Sequence, residues 1–94
     1  MNETIFKYGI KKTGYQEVDL PEGSIILDIQ LQNGIAVMWV QFDMNAHRIE
    51  TRKIHCLGTG STFSLNLKYL KTIQDGSLVL HFYEEIAQQE AEET

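Results

Sequence analysis

The chain is predicted to be mainly β, a small antiparallel sandwich or barrel of about seven strands with one short helix near residues 64–70. Three observations carry this. Apolar side chains recur with a period of two in most segments, the spacing at which one face of a strand is buried. Turn-forming residues separate these segments every eight to twelve residues or so. Asn33-Gly34 lies between two β-rich runs, and this dipeptide is a strong hairpin signal because both residues tolerate the positive φ of a type I′ turn.

Taken in order, residues 4–10 form a first strand and Lys11-Lys12-Thr13-Gly14 a turn. Residues 15–20 alternate again, with Tyr15, Glu17 and Asp19 opposing Gln16, Val18 and Leu20, so the two strands are expected to pair as a half-buried hairpin. Pro21 cannot continue a ladder, and Pro21-Glu22-Gly23 ends the strand. The central hairpin follows. In residues 24–32, Ile25, Leu27, Ile29 and Leu31 share one face, and Asp28, Gln30 and Gln32 the other. Residues 35–43 are apolar on both faces and read as a central strand covered from both sides, with Trp39, the only tryptophan, as core anchor.

Residues 49–57 form a strand of unusual polarity, in which Glu50, Arg52, Ile54 and Cys56 oppose Ile49, Thr51, Lys53, His55 and Leu57. Gly58-Thr59-Gly60-Ser61-Thr62-Phe63 is the most glycine-dense loop. Ser64 is an N-cap for the helix over 64–70. Residues 71–74 and 77–83 make a last hairpin around Asp75-Gly76. Residues 1–83 are thus one β-rich domain, and residues 84–94 an acidic tail.

The net charge of −5 comes from that tail, which holds five glutamates and no base. The body carries eight acidic and eight basic side chains, so general nucleic-acid binding is not expected. The start Met-Asn-Glu-Thr-Ile lacks the regions of a signal peptide, no apolar run reaches spanning length, and Cys56 is the lone cysteine. A cytoplasmic protein without a membrane segment is expected. A domain this small, with apolar side chains on strand faces otherwise left wet, is expected to be a homo-oligomer, with Ile26, Ile35, Val37 and Val79 covered by a partner chain.

Candidate chemistry is sparse. No pair among His47, His55 and His81 has zinc-site spacing, and neither a metal nor a cofactor is expected. Cys56 alternates with Ile54 on an inward face and reads as inert packing. The glycine loop offers clustered backbone donors for an anion, with hydroxyls from Thr59, Ser61 and Thr62, but it lacks the lysine and spacing of a P-loop. The ligand-binding set is therefore Arg52, Lys53, His55, Gly58, Thr59, Gly60, Ser61 and Trp39, with no catalytic residue assigned. Arg52 and Lys53 alternate across a strand, so only one can face a given pocket. Trp39, Tyr8 or Tyr69 would stack on a base.

Phe6-Lys7-Tyr8, Leu20-Pro21-Glu22-Gly23, Ile29-Gln30-Leu31-Gln32-Asn33-Gly34 with Trp39, Gly58-Thr59-Gly60 and Gly76-Ser77-Leu78-Val79-Leu80-His81-Phe82 occur in this order. Together they resemble a family of small phage and prophage proteins known only as a domain of unknown function. In that family the glycine loop commonly continues with His-Pro, where this chain has Ser61-Thr62. The resemblance implies a phage-type accessory protein of the host cytoplasm. Its leading expected role is non-enzymatic sequestration of a small anionic, nucleotide-derived immune signal. The alternative is an inhibitor that binds a host defence protein through the acidic tail and an exposed strand edge. A weaker one is a phosphodiesterase using His55 or His81.

Overall fold

The structure is a computed structural model and describes residues 2–64 and 66–87. Seven strands run in the order β1 (Glu3–Ile10), β2 (Gly14–Pro21), β3 (Ile25–Gln32), β4 (Ile35–Asp43), β5 (Ile49–Gly58), β6 (Leu67–Asp75) and β7 (Leu78–Glu85). They build two antiparallel sheets. Sheet A has the order β1-β4-β3 and sheet B the order β2-β5-β7-β6. The protein is thus a sandwich, flat in outline, with extents of 42 × 37 × 18 Å.

The central hairpin forms as expected. Asn33 and Gly34 take φ of 52° and 80°, the double positive of a type I′ turn. β4 is the middle strand of sheet A and sends Ala36, Met38 and Val40 into the core. They meet Ile10 and Ile29 of their own sheet and Leu20, Ile54, Cys56, Ile73, Leu80 and Phe82 of sheet B. Phe82, Leu20, Ile29 and Met38 are fully enclosed and form the centre of the core.

Several expectations are corrected. β1 and β2 are not a hairpin, because β1 pairs β4 and β2 pairs β5. The crossover between them is held by Gln16, whose side chain accepts from Lys11 N (2.9 Å) and donates to Lys11 O (3.0 Å), satisfying a buried amide where no strand partner exists. A bulge between Ile26 and Asp28 breaks the alternation of β3. Ile26 joins Ile29 and Leu31 against the core, and Leu27 is exposed. Trp39 is half-buried on the outer face of sheet A, its ring under Lys7 Nζ at 5.7 Å, and so does not anchor the core. Parity decides this: Met38 and Val40 face inward, so Trp39 between them cannot.

No helix forms over 64–70 among the described residues. β6 starts at Leu67, and Lys68 and Tyr69 pair with Glu84 and Tyr83. Ladder bonds to β7 outweigh a weak local helix preference. A bulge at Leu70 lengthens β6, and the turn of the last hairpin is Gly76-Ser77, one residue later than expected. β7 reaches Glu85, two residues beyond the strand end expected at Tyr83. Of the expected tail, residues 88–94 lie outside the described residues. Of the four side chains expected under a partner chain, Val37 is 5% exposed and Ile26 is packed inside, whereas Ile35 is 59% exposed and Val79 is also open. Among the described residues no helix is long and apolar enough to cross a membrane.

Candidate functional site on the outer face of sheet B

The alternation of β5 survives intact. Thr51, Lys53, His55 and Leu57 lie on the outer face of sheet B, and Arg52, Ile54 and Cys56 on the inner. The two cations therefore part company. Arg52 turns into the sandwich, where its Nη2 donates to Glu84 Oε1 at 2.9 Å and its Nε bonds the other carboxylate oxygen. Its Nη1 donates to Ser24 O (2.8 Å) and Glu50 Oε2 (3.2 Å). The pair is 18% and 9% exposed. Glu84 beside it holds the guanidinium above its ordinary pKa despite burial. Arg52 is a structural cation.

On the outer face, Glu85 Oε1 lies 2.9 Å from His55 Nε2, and its other oxygen lies 3.9 Å from Lys53 Nζ. The Tyr15 ring packs on the His55 ring, centroids 5.0 Å apart. Tyr15 Oη donates to Glu17 Oε2 at 2.6 Å, which pushes the phenol up to about 12. In the same cross-strand row, Tyr83 sits opposite both His55 and Tyr69. Its ring contacts Phe63 at 5.4 Å and Tyr69 at 5.5 Å. Tyr69 Oη donates to Thr72 Oγ1 (2.8 Å), which lies 3.0 Å from His81 Nδ1, while His81 Nε2 lies 2.9 Å from Thr59 Oγ1. If Thr72 donates to Nδ1, the Nε2 hydrogen is free to reach Thr59, and the relay closes. His81 is thus a hydrogen-bonded sheet residue.

The glycine loop borders the same face. Leu57, Gly58, Thr59, Gly60, Ser61, Phe63, His81 and Tyr83 enclose a depression of about 200 Å³. Ser61 N donates to Gly58 O (3.1 Å), and Gly60 alone in this loop has positive φ, 92°. The Ser61 amide therefore closes the turn.

The structure brings together Lys53, His55, Gly58, Thr59, Gly60 and Ser61 along one face. Arg52 lies on its reverse, and Trp39 is on the outer face of the other sheet. Tyr15, Phe63, Tyr83 and Glu85 were not anticipated there. Two-residue alternation through His81, Tyr83 and Glu85 held the signal for the last two, but cross-strand register is needed to see which side chains they meet. Among the described residues no cluster of three or more metal-ligating side chains exists.

The chain belongs to a family described as a domain of unknown function (DUF7352), whose model matches residues 1–93. No curated protein and no solved structure was found similar to it.

Proposed function

We propose that this member of the family is a non-enzymatic binding module whose working surface is the outer face of sheet B and whose partner is a protein. One observation carries the reading: Tyr15, His55, Tyr83, Tyr69 and Phe63 form ring contacts across an open sheet face. Tyrosine-rich surfaces give large, stiff contact area with polar tips, the composition of interface anchors. Phosphate recognition fits this face less well. Arg52 is committed to Glu84, Lys53 shares Glu85 with His55, and the Ser61 amide is used within the loop. In this reading the protein is a phage-type accessory factor that acts in the host cytoplasm by covering a defence protein.

A second reading keeps the nucleotide-derived signal, favoured by the depression between the glycine loop, Phe63, Tyr83 and His81. At about 200 Å³ it is smaller than the 300–1,000 Å³ or so of ordinary ligand sites. A second subunit closing over it would enlarge the cavity, which joins this reading to a homo-oligomer.

The test compares the native protein with Tyr15→Ala and Tyr69→Ala, each tagged and expressed in host cells. Capture of one protein by the native chain, binding by that purified protein, and loss in variants of unchanged Tm are expected. A nucleotide released by heat, with no protein bound, would replace the first reading by the second. Neither ligand appearing would overturn both.

A further inference from the structure

We infer that residues 3–7 of β1 pair antiparallel with the same residues of a second copy of this chain, Ile5 opposite the partner's Ile5 and Glu3 opposite the partner's Lys7. This interface uses neither the outer face of sheet B nor the glycine loop.

β1, β2, β3 and β6 are the edge strands of the two sheets. Three of them are blunted. Bulges interrupt β3 between Ile26 and Asp28 and β6 between Tyr69 and Lys71, and β2 carries Glu17 and Asp19 before it ends at Pro21. Bulges, charges and proline are the devices that keep an open edge from pairing. β1 keeps an unbroken register with β4 and contains no proline. Its N-terminal part is also open on both faces. Ile5 is 56% exposed, and Phe6, opposite the core residue Val40, faces inward yet is 54% exposed. Sheet B therefore does not cover this part of the strand.

The backbone decides which residues can pair. Met44 N donates to Asn2 O (2.8 Å), and the two residues continue the β1–β4 register, so they form a hydrogen-bonded pair. Bonded and non-bonded pairs alternate along an antiparallel ladder. The even residues of β1 therefore bond β4, and Glu3, Ile5, Lys7 and Gly9 direct their N–H and C=O groups to the open edge. A strand added there must bond through these groups. A second copy satisfies this by setting odd residues against odd residues, which permits a two-fold axis.

The charges choose among the registers. With Ile5 on the axis, Glu3 meets the partner's Lys7, and Lys7 meets the partner's Glu3. Centring on Thr4 or Phe6 sets a charge against the partner's Ile5, and centring on Glu3 or Lys7 sets like charges together. Among the described residues neither side chain joins an ion pair. Glu3 accepts from Gln41 (3.4 Å), and Lys7 donates to Gln32 (2.8 Å) and lies over Trp39. Glu3 also stands opposite Asp43, a like-charge pair that the partner's Lys7 relieves. On the inner face Phe6 falls opposite the partner's Thr4 and diagonal to the partner's Phe6, within reach of an aromatic ring. The Phe6–Phe42 contact (centroids 5.0 Å apart) thus continues into its copy.

Sedimentation equilibrium of the full chain is expected to show monomer and dimer exchanging between micromolar and millimolar concentration. Lys7→Glu and Glu3→Lys, both at exposed positions, are each expected to weaken the dimer about tenfold or more with little change in Tm. An equimolar mixture of the two variants is expected to restore the dimer, because one chain then carries acids and the other bases at positions 3 and 7. Ile5→Pro removes a donor that β4 does not use and is expected to leave a folded monomer. A native chain that stays monomeric at millimolar concentration, a dimer untouched by Ile5→Pro, or charge variants that fail to recover on mixing would overturn the inference. Each of these outcomes leaves the binding reading of sheet B standing.

Discussion

Arg52 and Glu84 lie thirty-two residues apart in sequence and meet inside the sandwich, two register steps from one another on β5 and β7. The carboxylate closes the inner row Leu80, Phe82, Glu84, and the guanidinium closes the row Cys56, Ile54, Arg52. Through Ser24 O the pair also ties sheet B to the start of β3. Lys71 and Asp28 (2.8 Å) and Lys12 with Asp75 and Gly34 O (both 2.7 Å) make the corresponding ties elsewhere between the sheets.

Arg52→Ala leaves a carboxylate in a site with little water. The expected cost is about 3–5 kcal/mol, much of the stability of a domain this size. Arg52→Met combined with Glu84→Leu is expected to recover most of it, because the apolar pair needs no compensation. Urea denaturation of the three proteins measures both. An exposed Arg52, as a ligand contact would require, predicts no loss in the single variant.

Trp39→Ala is expected to cost about 1–2 kcal/mol, through partial burial and the lost contact with Lys7. Phe82→Ala, at the centre of the core, is expected to cost about 3–5 kcal/mol. Acrylamide should quench the single tryptophan readily in the native state. A shielded tryptophan would place it in the core after all.

Gly34→Ala is expected to destabilise by about 1–2 kcal/mol, because φ of 80° disfavours any side chain even where nothing lies within 4 Å of the added carbon. Gly9 has equally open surroundings and no positive φ. Gly9→Ala is expected to be neutral or to stabilise by about 0.4–1 kcal/mol, by restricting the unfolded chain. Thermal melts of the two variants separate backbone strain from crowding.

The Asp28 carboxyl is held below its ordinary value of 3.8, first by the hydrogen bond from Lys71 and then by Ile29 N and Gln30. A depressed folded-state pKa gives stability that is complete above 3.8 and is lost as pH falls through the lower, folded-state value. Asp28→Asn is therefore expected to be less stable than the native chain near neutrality and to lose less of its Tm on acidification below pH 4 or so. Parallel curves for the two proteins would show that the Lys71 contact contributes nothing.

The sequence by itself determined the strands, because period-two alternation and turn chemistry are local properties. Asn33-Gly34 needed no partner to declare a turn, and the split of β5 into Arg52, Ile54, Cys56 against Lys53, His55, Leu57 follows from pleat geometry alone. Only the tertiary structure decided which strands pair. β1 and β2 have short-loop spacing suited to a hairpin, yet each buries its apolar side better beside β4 and β5 in different sheets. The same non-local pairing stretched β6 over residues expected to be helical. It also turned Trp39 outward and enclosed Arg52 with Glu84. Whether a charge is free to meet a ligand depends on what faces it from another strand, and that information is not local to any segment of the chain.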